Sequence, residues 1–262
     1  MAAIELNTVR PGAPMRWLKA GASDMMRAPV VSIGYGLIFV LLGAALSGGL
    51  WWLGASAWIP VALSGFALVA PLFAVGFYQI SKHLDAGQPV SFRDVWLVSG
   101  EKISQVAFLG LLLIILLLVW ARIAQFLYAY FATQDYTNFA DFTAWILDEP
   151  AGVTMAVVGT IIGAGLAFAA FAISAISFPM LIDKDIDAAT ALIASVKAVR
   201  ANLFTMFTWA WLIAFWTAIG GAFFLVGLAV VFPWLGHASW RAYQDFCTDC
   251  GPSSSSPASA AA

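Results

Sequence analysis

Few residues in this chain could do chemistry, and most of them gather near its C-terminal end. His237, Trp240 and Tyr243 follow Gly236 at i, i+3 and i+6, so on a helix they share one face. Such a set could bind a ligand or dock a partner at a membrane surface. It could equally anchor a helix end, since tryptophan and tyrosine favour the headgroup layer. Cys247-Thr248-Asp249-Cys250 is a C-x-x-C, the spacing of a redox pair or of half a zinc site. A full zinc site needs two more ligands, and the adjoining tail offers none unless two copies meet in a Cys₄ arrangement. The plainer reading is two unpaired thiols, because a cytoplasmic location disfavours a standing disulfide. His83 reads as a solvated or interfacial histidine, with ligation as the alternative. His83 and His237 are the only two histidines and fall near helix ends on the same side, which argues against a buried bis-histidine haem.

The standard catalytic signatures are missing. There is no P-loop, hydrolase elbow, H-E-x-x-H or dinucleotide fingerprint, and no Ser/His, Asp/Asp or metal constellation of a membrane protease can be assembled. Coupled transporters place ionisable groups inside their spans. Here the apolar stretches hold none apart from Arg122, near an end. The expectation is a non-enzyme with no cofactor and no metal site.

What positions these residues is a membrane-embedded scaffold. The chain has 262 residues, 62% of them hydrophobic and 10% charged, where a soluble domain carries roughly 25% charged residues. Residues 28–81 contain no Asp, Glu, Lys, Arg or His, and a span needs only about 20 apolar residues. Gly48-Gly49-Leu50-Trp51-Trp52-Leu53-Gly54 marks the turn of a hairpin with spans near 30–50 and 58–80. Pro71 should kink the second. Ser91-Phe92-Arg93-Asp94 fits a capping box opening a short helix over 92–102, ahead of a Leu-rich span near 106–128. Residues 132–149 interleave Asp135, Asp141, Asp148 and Glu149 with Tyr136, Phe139, Phe142 and Trp145, which reads as an acidic, aromatic helix on the far surface. Tyr136, Phe139 and Trp145 are candidate contacts there. The fourth span, near 152–179, carries Gly159 and Gly163 in a G-x-x-x-G, a spacing that lets helices approach closely. Residues 201–240 lack Asp, Glu, Lys and Arg and are divided by Gly220-Gly221, which suggests spans at 203–219 and 222–236.

The fold expected is all-α: a polytopic transmembrane bundle of about six spans, as three hairpins each introduced by a cytoplasmic interfacial helix (15–28, 92–102 and 188–200). Pro71, Pro179 and Pro233 recur in the second helix of each hairpin. Residues 1–14 form an irregular tail, 15–245 one transmembrane domain, and 246–262 a low-complexity tail expected to be disordered. The N-terminal region lacks a signal-peptide core, so the first apolar segment should remain as a span. On this topology 11 of the 12 Lys and Arg residues share one side, Arg122 excepted. The positive-inside rule makes that side cytoplasmic, with the N-terminus and, on six spans, the C-terminus. The basic residues form no stripe suited to nucleic acid.

Several strings resemble a bacterial integral-membrane family, domain-of-unknown-function family 2189. They are Gly34-Tyr35-Gly36-Leu37, Gly76-Phe77-Tyr78-Gln79-Ile80-Ser81, Phe178-Pro179-Met180-Leu181-Ile182-Asp183 with Ser195, and Pro233 to Tyr243 with its G-H-A-x-W-x-x-Y. The resemblance runs over roughly 15–245. It implies a bacterial cytoplasmic-membrane protein of about six spans and brings no activity, cofactor or catalytic residue. Elimination then points to an accessory or assembly subunit of a larger inner-membrane complex, with the electron-transport chain as candidate host. Its partners would be the lipid bilayer and other integral membrane subunits. The alternative is uncoupled transport or binding of a small apolar molecule or lipid.

Overall fold

The computed structural model describes residues 6–96, 100–222 and 225–247. These residues form helices and connecting turns, with no strand among them. Residues 7–9 run irregularly into α1 (Ala13–Arg27), an amphipathic helix that buries Trp17, Leu18, Gly21 and Asp24 and leaves Met15 and Met26 exposed. Ala28 precedes a proline and leaves the helical region, and Pro29 opens α2 (Pro29–Trp52) at its first turn. Val31, Tyr35 and Phe39, four apart, face inward, while Leu41, Leu42 and Leu46 face out. Gly54, at φ +69°, makes the left-handed turn that ends the helix.

A 3₁₀ turn (Ser56–Trp58) leads to α3 (Ile59–Phe73), and the chain breaks at Ala74 before α4 (Val75–Asp85). A kink is expected at Pro71, but Pro71 lies inside α3 and the break falls three residues after it. Half of the expected capping box is present, while the Asp94 N–H donates to the Ser91 carbonyl rather than to its hydroxyl. Asp94 accepts both the Ser91 N–H (2.6 Å) and the Ser91 hydroxyl (2.8 Å) at the start of α5 (Phe92–Trp96). The Leu-rich span is α6 (Gly100–Phe131), followed by α7 (Phe139–Asp148) and α8 (Pro150–Ser174).

Between α8 and α9 (Ser177–Asp183) the helix is interrupted at Ala175-Ile176. Pro179 has no N–H to give the carbonyl of residue 175, so an interruption there is favoured. Ser195, from α10 (Ala188–Ala201), fills the gap. Its hydroxyl accepts the Ile176 N–H at 3.1 Å and donates to the Ala172 carbonyl at 2.8 Å. Such repair is needed where backbone would otherwise stay unpaired in an apolar setting.

The last two helices are α11 (Leu203–Ala222) and α12 (Leu228–Phe246). Among the described residues five stretches are long and apolar enough to cross a membrane: Pro29–Trp52, Ser56–Asp85, Lys102–Phe131, Pro150–Asp183 and Leu203–Ala222. The segment expected to make a sixth span near 222–236 departs from that expectation. Its helix starts later, at Leu228, and runs on to Phe246, with an apolar first half and a polar second half. The turn before it includes Leu225 at φ +65° and packs Gly227 against Gly220, where an added Cβ would lie 2.7 Å from the Gly220 carbonyl oxygen.

Candidate functional site

The polar half of α12 is where the candidate residues meet, and it lies inside the chain. The path to it starts with close approaches. A Cβ on Gly236 would sit 2.6 Å from the Phe77 ring, and one on Gly21 would sit 2.5 Å from the Ala238 nitrogen. These contacts bring α12 against α4 and α1 with almost no side chain between. Gly36 likewise lies under Pro233, 2.7 Å from the Ala229 carbonyl oxygen for an added Cβ. That carbonyl has no helical partner, because Pro233 stands where its donor would be.

His237 is wholly buried and spans two helices. Ser32 of α2 meets its Nε2 at 2.9 Å, and Ser81 of α4 meets its Nδ1 at 2.7 Å. One ring nitrogen donates and the other accepts, which suits a neutral imidazole. Burial, aided by the nearby Arg241 charge, lowers its pKa from 6.5 to about 3. Trp240 donates from Nε1 to Asp85 at 2.9 Å, and the Tyr243 hydroxyl donates to Asp183 at 2.7 Å. Burial, and then the Asp183 charge, push the Tyr243 pKa up.

Between them, Arg241 binds Asp24 of α1 through Nε and Nη2, each at 2.6 Å, and reaches Asp85 at 2.7 Å. Burial opposes its charge, but the two carboxylates more than offset this, so its pKa is raised. Gln244 adds a bond to Asp85 at 2.8 Å. The next turn continues the pattern, with Asp245 accepting from Trp17 at 2.7 Å and Arg16 at 2.8 Å. Asn7 then donates its backbone N–H to the Phe246 carbonyl at 3.0 Å. One helical face thus ties together α1, α2, α4 and α9.

This placement corrects the expectation that His237, Trp240 and Tyr243 present an interaction surface. They are 0%, 2% and 1% exposed, and their polar atoms are used within the chain. Nor is the string a superficial aromatic anchor. Asp24, Asp85 and Asp183 are the partners that sequence reasoning missed. The signal available was that each sits at the polar end of a helix on the same side as the string.

On the far side, α7 packs on α8 and the 3₁₀ turn. Tyr136 stacks on Trp145 with centroids 4.9 Å apart, and the Phe139 N–H donates to Ser56 Oγ at 2.8 Å. Trp145 is buried and Tyr136 half-buried, so of the three only Phe139 is exposed. Gly159 and Gly163 face α6. A Cβ on Gly163 would come within 3.2 Å of the Trp120 ring, and one on Gly159 within 3.6 Å of Leu127. His83 faces Asp94 at 3.8 Å. Cys247 is 8% exposed and disulfide-bonded, which corrects the reading of two unpaired thiols, while Cys250 lies outside the described residues. Among the described residues no group of three or more His, Cys, Asp or Glu side chains converges as a metal site.

The fold and this polar knot define a class: an all-α, multi-pass integral membrane protein whose inter-helix polar contacts gather at one end of the bundle. Residues 58–183 match the model of the family described as predicted integral membrane protein (DUF2189). The match includes the Gly76–Ser81 and Phe178–Asp183 strings but ends before Ser195 and the α12 string. No curated protein and no solved structure matches the chain.

Proposed function

We propose that this protein is a non-catalytic accessory or assembly subunit of a larger membrane complex, acting by lateral helix packing. One observation carries the reading. In Pro150–Asp183 only 6% of the most apolar stretch is buried within the chain. The candidate chemical residues, by contrast, are spent on holding helix ends together. The scaffold is therefore fixed at one end and offers long uncovered apolar faces along its spans, which suits packing beside other membrane helices.

The host we propose is a complex of the bacterial cytoplasmic membrane, with electron-transport complexes the first to examine. We also propose that the basic end, with the N-terminus, is cytoplasmic, because 11 of the 12 Lys and Arg residues belong there. Pull-down of the full chain from a mild-detergent extract, followed by mass spectrometry, tests the function. The expected result is stoichiometric integral membrane subunits. Recovery of the chain alone, or apolar-solute or lipid flux through vesicles holding only this chain, would overturn it in favour of uncoupled transport.

A further inference from the structure

Most basic side chains at the knotted end are spent on carboxylates or carbonyls: Arg16 on Asp245, Arg241 on Asp24 and Asp85, Arg27 on Leu84, and Lys82 and Lys102 on Ile182. Lys19, Arg93, Lys197 and Arg200 are not, and of these Lys197 and Arg200 lie together on α10. They are exposed, and no hydrogen-bond or ion-pair partner reaches either among the described residues. Lys197 and Arg200 share one outer stripe of α10 with Ile193, which is 45% exposed. α10 ends at its C-cap Asn202, and α11 follows with an outward face on which Phe204, Phe207 and Trp211 are 74%, 62% and 55% exposed. Two unpaired cations thus sit where an apolar, bilayer-facing surface meets the polar end of the bundle. Arg10 adds a third. The backbone N–H of its neighbour Val9 donates to Asn202 Oδ1 at 3.0 Å, which sets Arg10 beside the same end of α10.

We infer that Lys197 and Arg200, with Arg10, form a binding site for the phosphate of an anionic phospholipid whose acyl chains lie along α11. The charge pattern favours this occupant. A phosphate supplies the missing counter-charge at the depth where long basic side chains emerge from the hydrocarbon. The exposed Phe204, Phe207 and Trp211 face supplies the apolar surface that acyl chains require. The acidic residue nearest in α10, Asp187, lies at its opposite end, where it caps the Thr190 N–H at 2.9 Å. The inference does not depend on the accessory-subunit reading.

The test uses the full chain in nanodiscs of mixed phosphatidylglycerol and phosphatidylcholine. Lipid retained after detergent re-extraction is counted by mass spectrometry. Wild type should retain phosphatidylglycerol over phosphatidylcholine. K197Q/R200Q should lower that preference by about 25-fold, taking roughly fivefold per basic residue. K197R/R200K keeps the charges and should restore it, separating lost binding from misfolding. Equal retention of the two lipids by wild type, or an unchanged preference in K197Q/R200Q, would overturn the inference. Displacement of the lipid by excess inorganic phosphate would also overturn it, by identifying a free anion rather than a lipid as the ligand.

Discussion

The guanidinium of Arg241 clasps both carboxylate oxygens of Asp24, Nε to Oδ2 and Nη2 to Oδ1, each at 2.6 Å, across 217 residues of chain. The Asp24 side chain is 4% exposed and that of Arg241 20% exposed. The pair closes the bundle by joining the first helix to the last. Truncating one partner of such a buried pair leaves the other charge uncompensated, at a cost of about 3–5 kcal/mol. Asp24→Asn, which keeps volume and removes charge, should lower stability by this order in a denaturant titration in detergent. Arg241→Lys should also destabilise, because an ammonium cannot reproduce the two-pronged contact.

Acid should loosen the knot through His237. His237 titrates near 3 in the fold against an ordinary 6.5. Between those values the unfolded chain takes up a proton that the folded chain refuses. Stability therefore falls as pH drops through that window, by up to about 1.4 kcal/mol per pH unit from this residue. Asp94 and Asp187, whose pKa values are lowered by Ser91 and Thr190, add a loss in the same direction only below about 3.8. Unfolding free energies measured from pH 7 to pH 4 should show the slope in the wild type. His237→Gln should flatten it, and an equal slope in both would remove His237 as its source.

The two faces of α8 should respond differently to bulk. Gly163 lies against Trp120, whereas no atom lies within 4 Å of an added Cβ on Gly165. Gly163→Val should cost about 1–3 kcal/mol through overpacking. Gly165→Val should leave the unfolding midpoint of the isolated chain unchanged.

Ser195 should be worth more than its size suggests. Ser195→Ala leaves the Ile176 N–H and the Ala172 carbonyl without the hydroxyl that serves both. About 1–3 kcal/mol of stability should be lost. Hydrogen exchange should show the loosening confined to the α8–α9 junction.

How much of this could be read beforehand differs between spans and site. The uncharged run at 28–81 revealed its hairpin because two spans need no other signal than apolar length. The Ser91–Asp94 contact was legible for a similar reason, since it depends on neighbours within one turn. The role of His237 was not. Its partners, Ser32 and Ser81, are 205 and 156 residues away, and no local spacing encodes that meeting. The extent of α12 was misjudged for a related reason. Gly220-Gly221 looked like a turn and the polar residues after Trp234 looked like an exit to water. Instead those residues find carboxylates on α1, α4 and α9, so the helix continues into the protein.

The central claim is that this scaffold works beside other membrane proteins, and its native size tests that most directly. The intact complex should be extracted in a mild detergent and its protein mass determined by native electrophoresis or light scattering, with the micelle subtracted. The account predicts an assembly well above the 27.9 kDa of one chain that contains other integral membrane subunits. A stable, monodisperse monomer as the sole species would contradict it.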